Sequence, residues 1–212
     1  MSEFEKMFKV NVTGTFLVTR ALSAIMKTQD PVPVDEAVPA RGISRGSIVN
    51  LGSASGFVAT PGMVQYTAAK HAVNGVTRNA GKFLFVWLHG FWVLELCYTK
   101  VPCLLTYPRK GSRKGPFRRF TDLRRCTALD NAKHGIRVNS VCPSWVDTPM
   151  IRKAMVDVPE LGEMIQKAVP LGRIALAEEV ADAVMFLSSP RASYATGCNM
   201  ILDGGTTLAA HV

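Results

Sequence analysis

Tyr66 and Lys70 stand four residues apart in a stretch of helical composition, which places both side chains on one face, one turn from each other. The spacing has a chemical use. An ammonium close to a phenol favours the phenolate and draws a pKa of about 10 toward the range where proton transfer works near neutrality. Taken alone, a Tyr-x-x-x-Lys pair arises often by chance, and an exposed helix face is its ordinary explanation. The surroundings raise its weight. Ser53 follows a short apolar run and precedes Tyr66 by thirteen positions, where the C-terminal edge of a parallel sheet would set its hydroxyl over a ligand crevice. The run Val141-Cys142-Pro143-Ser144-Trp145-Val146-Asp147-Thr148-Pro149 also follows a strand and brings a stiff backbone and a hydroxyl to that edge.

The elements that must position these groups are legible from periodicity. Residues 3 to 28 read as one amphipathic helix, with Leu17, Ala21 and Ile25 at i, i+4 and i+8 beside Val18 and Leu22, a face expected to pack on a sheet. Prolines at 31, 33 and 39 make Gln29 to Arg45 a surface loop. Ser47 to Leu51, bounded by glycines, predicts a strand buried on both faces, and residues 64 to 80 predict a helix. Ile136 to Val141 is a second strand, halted by Pro143. Residues 177 to 188 form a helix with Val180, Ala183, Val184 and Leu187 on one face, Glu178 and Glu179 in its first turn and Ser188-Ser189-Pro190 as its stop. Asn199 to Leu202 is a last strand before Asp203-Gly204-Gly205. Alternating strands and helices predict an α/β layer architecture with a mostly parallel sheet.

In order and spacing, Asn50-Leu51-Gly52-Ser53, Tyr66-Thr67-Ala68-Ala69-Lys70, Cys142-Pro143 to Thr148-Pro149 and Leu202-Asp203-Gly204-Gly205 resemble the short-chain dehydrogenase/reductase family. Pro170-Leu171-Gly172-Arg173, followed by Glu178-Glu179-Val180-Ala181, is similar to that family's approach to its last helix. The resemblance implies a Rossmann-like doubly wound parallel sheet and an NAD(P)-dependent oxidoreductase interconverting a ketone and a secondary alcohol. It implies Tyr66 as general acid/base, Ser53 as the group that polarises the substrate oxygen, and Lys70 as the cation that lowers the phenol pKa and holds the nicotinamide ribose. Asn11, within Lys9-Val10-Asn11-Val12-Thr13-Gly14, matches the family's helix asparagine that positions a relay water. Its plain alternative is an asparagine tolerated in a helix. Tyr66 and Lys70, with Pro143, Val146 and Thr148, match the segments that contact the coenzyme, NADP or NAD.

Two departures stand against the pattern. The family's threonine and three spaced glycines belong well before Asn11 and are not in this sequence, so the sheet is expected to be N-terminally truncated by about four strands. Gly52 and Gly56 tempt as a substitute phosphate turn, but Val58 stands where the third glycine is needed, and Ser53 already has a role.

The second departure is residues 81–126. They hold ten basic side chains against Glu95 and Asp122, nine of the seventeen aromatics and three of the five cysteines, whereas the remaining residues hold 15 basic and 14 acidic groups. The net charge of +9 is therefore local, and a nucleic-acid partner is not expected. Asn79-Ala80 joined directly to Thr127-Ala128 would continue the Tyr66 helix, so 81–126 reads as a foreign insertion or a translated intron. Its apolar part, Phe83 to Tyr98, spans 16 residues and includes His89 and Glu95, against about 20 needed to cross a bilayer, so no membrane partner is expected. The domain expectation is one partial Rossmann-type unit over 1–212, family-like at 3–80 and 127–208.

An odd cysteine count without CxxC spacing argues against a disulfide framework or a zinc site, and Met1 to Lys6 is acidic, so the expected location is cytoplasmic. The substrate is expected to be a small carbonyl or alcohol compound. Met150, Ile151, Met155 and Met164 suggest an apolar one, although core packing explains them equally well. The resemblance also implies a homo-oligomer. The alternative is a catalytically inactive fragment or faulty gene product whose basic aromatic insertion contacts a membrane or partner.

Overall fold

The computed structural model describes residues 2–59, 61–78, 83–88, 91–96 and 128–209. In chain order the elements are α1 (Glu3–Phe8), a π-helical segment (Lys9–Gly14), α2 (Thr15–Thr28), β1 (Val32–Pro33), β2 (Ile43–Ser44), β3 (Gly46–Leu51) and α3 (Val64–Arg78). There follow β4 (Phe83–Leu88), β5 (Phe91–Leu96), α4 (Ala128–Ala132), β6 (Ile136–Pro143), α5 (Pro149–Asp157), α6 (Leu161–Ala168), α7 (Ala177–Ser188), β7 (Asn199–Leu202) and α8 (Thr206–Ala209).

β3, β6 and β7 form a parallel sheet in that order, with Gly46 opposite Ile136 and Ser140 opposite Asn199. Strand alternation sends successive residues to opposite layers. Ile48, Ile136 and Val138 meet Met26 of α2 and Ala128 of α4 on one face, while Val49, Val141 and Met200 meet Ala183 and Leu187 of α7 on the other. Helices on both faces of a parallel sheet make the Rossmann-type layering. Burial of Ile136, Val138 or Val141, each fully enclosed, contributes about 1.5–3 kcal/mol per side chain. Pro143 is the last residue of β6, paired with Leu202, and not a stop outside the strand. Proline has no N–H to give, and the ladder is continued by Ser144 N, which donates to Leu202 O (3.0 Å).

The first helix departs from expectation in two ways. It is interrupted by the π-helical turn, where Asn11 Nδ2 donates to Met7 O (3.2 Å), the carbonyl that an α-helical ladder assigns to Asn11's own N–H. Its apolar stripe also faces outward: Leu17, Val18, Leu22 and Ile25 are exposed, and the residues turned to the sheet are Thr19 and Ser23, both fully buried. A polar network makes that inward face viable. Thr19 Oγ1 donates to Asn50 Oδ1 (3.2 Å), Asn50 Nδ2 to Thr77 Oγ1 (3.1 Å), Ser23 Oγ to Thr19 O (2.7 Å) and Asn131 Nδ2 to Ser23 Oγ (3.0 Å). The chain therefore joins α2, β3, α3 and α4 through hydrogen bonds where a hydrocarbon seam was expected.

The Gln29–Arg45 loop contains the short antiparallel pair β1–β2, and Arg41 ties it to Pro190 O (2.8 Å). Residues 151 to 169 are two helices, α5 and α6. Of the four residues read there as pocket or core, Met150 and Met164 are exposed. From the 81–126 segment the structure describes only β4 and β5, an antiparallel pair. Its cysteines and polybasic run lie outside the described residues. Among the described residues no helix is long and apolar enough to cross a membrane.

α3 and α4 flank that segment and face the same glycine. A Cβ built on Gly197 would lie 4.0 Å from Arg78 Cα and 3.5 Å from Ala128 Cβ, so those two atoms are separated by no more than the sum, 7.5 Å. Residues four apart in one α-helix rise by about 6 Å. The two helices thus end and resume across a gap of one turn.

Arg137 of β6 holds the far end of α7. Its guanidinium donates to Leu187 O (2.8 Å), Ser189 O (3.1 Å) and Ala195 O (3.3 Å), covering carbonyls that the helix end leaves open. Desolvation lowers its pKa, yet a guanidinium remains charged at neutral pH. Arg137→Met is expected to destabilise the fold by about 2 kcal/mol, read as a lower urea midpoint at unchanged slope. An unchanged midpoint would show that water replaces the arginine at no cost.

Candidate functional site

The site residues converge where β3 and β6 end. Leu51 closes β3, and Gly52 N donates to Val141 O (2.8 Å), so the chain leaves the sheet while still tethered to β6. Ser53 follows at once and caps a short 3-10 turn, its Oγ accepting from Ser55 N (3.2 Å). The residue is almost completely buried.

α3 carries Tyr66 and Lys70 on one stripe, as their spacing requires. Lys70 is buried, and its Nζ donates to Leu51 O (3.1 Å) while standing 5.5 Å from the Tyr66 ring centroid. Burial is the main influence on this ammonium and lowers its pKa, partly offset by attraction to Cys142. An ammonium so desolvated favours a nearby negative oxygen more strongly than one in water. Tyr66 is half-buried, and its hydroxyl makes no hydrogen bond to a described residue. Asn11 lies on the π-helical segment that packs against α3, with its carboxamide turned back to Met7.

The β6 side supplies Pro143, Val146 and Thr148. Val146 forms a parallel bridge to Ala175, Asp147 N donates to Ala175 O (2.8 Å), and Thr148 Oγ1 caps α5 by accepting from Ile151 N (3.4 Å). All three are half-buried. A cavity of about 280 Å³ opens next to this loop, lined by Ser144, Trp145, Leu171, Arg173, Ile201 and Asp203 among others. It includes none of Asn11, Ser53, Tyr66 and Lys70, so the cavity and the chemistry do not coincide. Its rim is ionic: Arg173 grips Glu179 through two bonds (2.8 and 2.9 Å), which with the Leu176 N–H holds the Glu179 carboxyl down at about 2.

Gly52 and Gly56, weighed above as a phosphate turn, have another use. A Cβ on Gly52 would meet Cys142 Sγ at 2.4 Å, and one on Gly56 would meet Asn74 Nδ2 at 2.5 Å. The loop can lie against β6 and α3 only because both positions lack a side chain. Asn74 was not singled out from the sequence. The available signal was its place on the Tyr66–Lys70 stripe, one turn further on.

A short chain dehydrogenase family model matches residues 1–84, and an enoyl-(acyl carrier protein) reductase model matches 120–207, so the two meet the chain on either side of 85–119. The short-chain dehydrogenase srdC of Neurospora crassa is 73% identical over 212 residues, covering 100% of this chain and 61% of its own length. The short-chain dehydrogenase RED2 of Pyricularia oryzae is 59% identical over 210 residues, covering 99% and 59%. The chain thus spans about three fifths of the length of these curated relatives. The fold resembles a gluconate 5-dehydrogenase of Burkholderia cenocepacia solved with NADP and tartrate, at 22% identity and a TM-score of 0.64, covering 97% of this chain and 56% of that one. With strand-end serine, Tyr-x-x-x-Lys stripe and parallel sheet in place, and both halves matched by the family's models, the chain belongs to the short-chain dehydrogenases, a family of oxidoreductases.

Proposed function

We propose that this chain carries the proton-handling and nicotinamide-facing half of an NAD(P)-dependent oxidoreductase that interconverts a ketone and a secondary alcohol. The observation that carries the reading is the buried Lys70 ammonium beside the Tyr66 ring at the edge where Ser53 leaves the sheet. Tyr66 gives a proton to, or takes one from, the substrate oxygen, and Ser53 orients that oxygen. Lys70 favours the phenolate and, having one described acceptor for three N–H groups, retains donors for ribose hydroxyls. Asn11 acts through the relay expected of its position on the π-helical turn. When bound, the coenzyme supplies or receives the hydride at the substrate carbon.

The donor set fits the nicotinamide end of such a coenzyme: a buried ammonium, the Thr148 hydroxyl at a helix start, and the stiff Pro143–Val146 backbone. Neighbours solved with NADP support the coenzyme class. The substrate is a small carbonyl or alcohol compound, and the exposed Met150 and Met164 favour an apolar one. Titration of the purified chain with NADPH and NADH, followed by coenzyme fluorescence, tests the reading. Saturable micromolar binding that weakens at least tenfold in Lys70→Met is expected. No binding of either coenzyme overturns it for this chain.

A further inference from the structure

α3 presents a stripe of four side chains, Tyr66, Lys70, Asn74 and Arg78, each one turn beyond the last. Three of them reach the loop that carries Ser53. Lys70 bonds Leu51 O before the loop, Asn74 Nδ2 donates to Gly56 O (3.0 Å) within it, and the Arg78 guanidinium lies 5.9 Å from the Phe57 ring centroid after it. Asn74 is buried, as Lys70 is, and meets the loop at Gly56. Its Oδ1 accepts from Cys142 Sγ (3.5 Å), so one carboxamide bridges the loop and the end of β6. Gly56 N in turn donates to Ser53 O (2.9 Å), which closes a short path from the amide to the serine backbone.

We propose that Asn74 is a positioning residue, whose carboxamide locks the Gly52–Gly56 loop onto α3 and so fixes Ser53 against Tyr66 and Lys70. The geometry is demanding at both ends. Gly52 and Gly56 bring the backbone so close that an added methyl at either would lie about 3.1 Å or less from the Asn74 amide. An apolar residue at 74 would leave Gly56 O without its donor and take one partner from the Cys142 thiol. A serine displaced by even an ångström no longer polarises the substrate oxygen along the line on which Tyr66 acts. The catalytic part of this inference rests on the proposed function; the lock itself does not.

The test compares the full chain with Asn74→Leu, which keeps side-chain bulk, and Asn74→Ala, which removes it. Hydrogen exchange reads the loop, and NADPH-dependent ketone reduction reads the consequence. In both variants the amides of residues 53 to 58 are expected to exchange about tenfold faster, with those of β6 unchanged. kcat is expected to fall about 10- to 100-fold at an unchanged KM for coenzyme, because Asn74 is not among the coenzyme-facing groups. Unaltered exchange at 53 to 58 overturns the proposal, as does protection lost throughout β6 in both variants or a parent-like kcat with a loosened loop. A parent chain without turnover sinks the proposed function instead, and the exchange comparison still decides the lock.

Discussion

Tyr66→Phe lowers turnover of a ketone by about 10²- to 10⁴-fold while leaving coenzyme affinity within about threefold, the range expected when a positioned general acid is removed. The substitution is clean because the Tyr66 hydroxyl makes no hydrogen bond to a described residue, so its loss orphans no protein group. The ring beside Lys70 remains, and with it the packing that holds the ammonium. An effect on kcat without one on the melting temperature therefore reports proton transfer alone. Wild-type turnover in Tyr66→Phe, measured with stopped-flow or steady-state NADPH absorbance, removes Tyr66 from its role.

Excision of residues 81–126 is expected to stabilise the protein. Arg78 Cα and Ala128 Cβ are no more than 7.5 Å apart, a distance that one helical turn spans, and the joined chain places exactly Asn79, Ala80 and Thr127 between them. The fifteen residues of α3, these three and the five of α4 become one helix of 23 residues. Its far end is already anchored, because Asn131 reaches Ser23 across the sheet-facing side of α2. Closing a loop of this length costs about 3 kcal/mol in chain entropy, which the direct join removes. The melting temperature is expected to rise by roughly 5–10 °C, with added helix signal in the far-ultraviolet. A lower melting temperature, or a deletion protein that does not fold, would show that the segment supports the domain.

The three strands of the parallel sheet and α7 were readable to within two residues because their signals are local: glycines bound β3, and acidic residues and a Ser-Ser-Pro stop bound α7, whereas the pairs β1–β2 and β4–β5 were not read as strands. The stripe on α2 was also read, but with its facing reversed. Periodicity finds an apolar face and says nothing about what covers it, and the inward face here works through Thr19, Ser23 and their hydrogen bonds. The π-helical turn at Asn11 escaped for a similar reason, since one side-chain bond redirects the ladder without changing composition. At the site, motif spacing located Ser53, Tyr66 and Lys70, whereas Asn74 belongs to no motif and is identified only by the two glycines it touches. The cavity beside the β7 end left no trace in the sequence, because it is built from residues contributed by three separate segments.

The register of β3 against β6 has a consequence for the order of events at synthesis. Gly46 pairs with Ile136, ninety positions later, and no strand among the described residues covers the other edge of β3. At a synthesis rate of about 5–20 residues per second, β6 is made roughly 5–20 s after β3. Half of that interval is the time taken to translate 81–126. During it, Val49 lacks both β6 and the α7 side chains it packs on, so that face of β3 stays open in the nascent chain until those later elements are made.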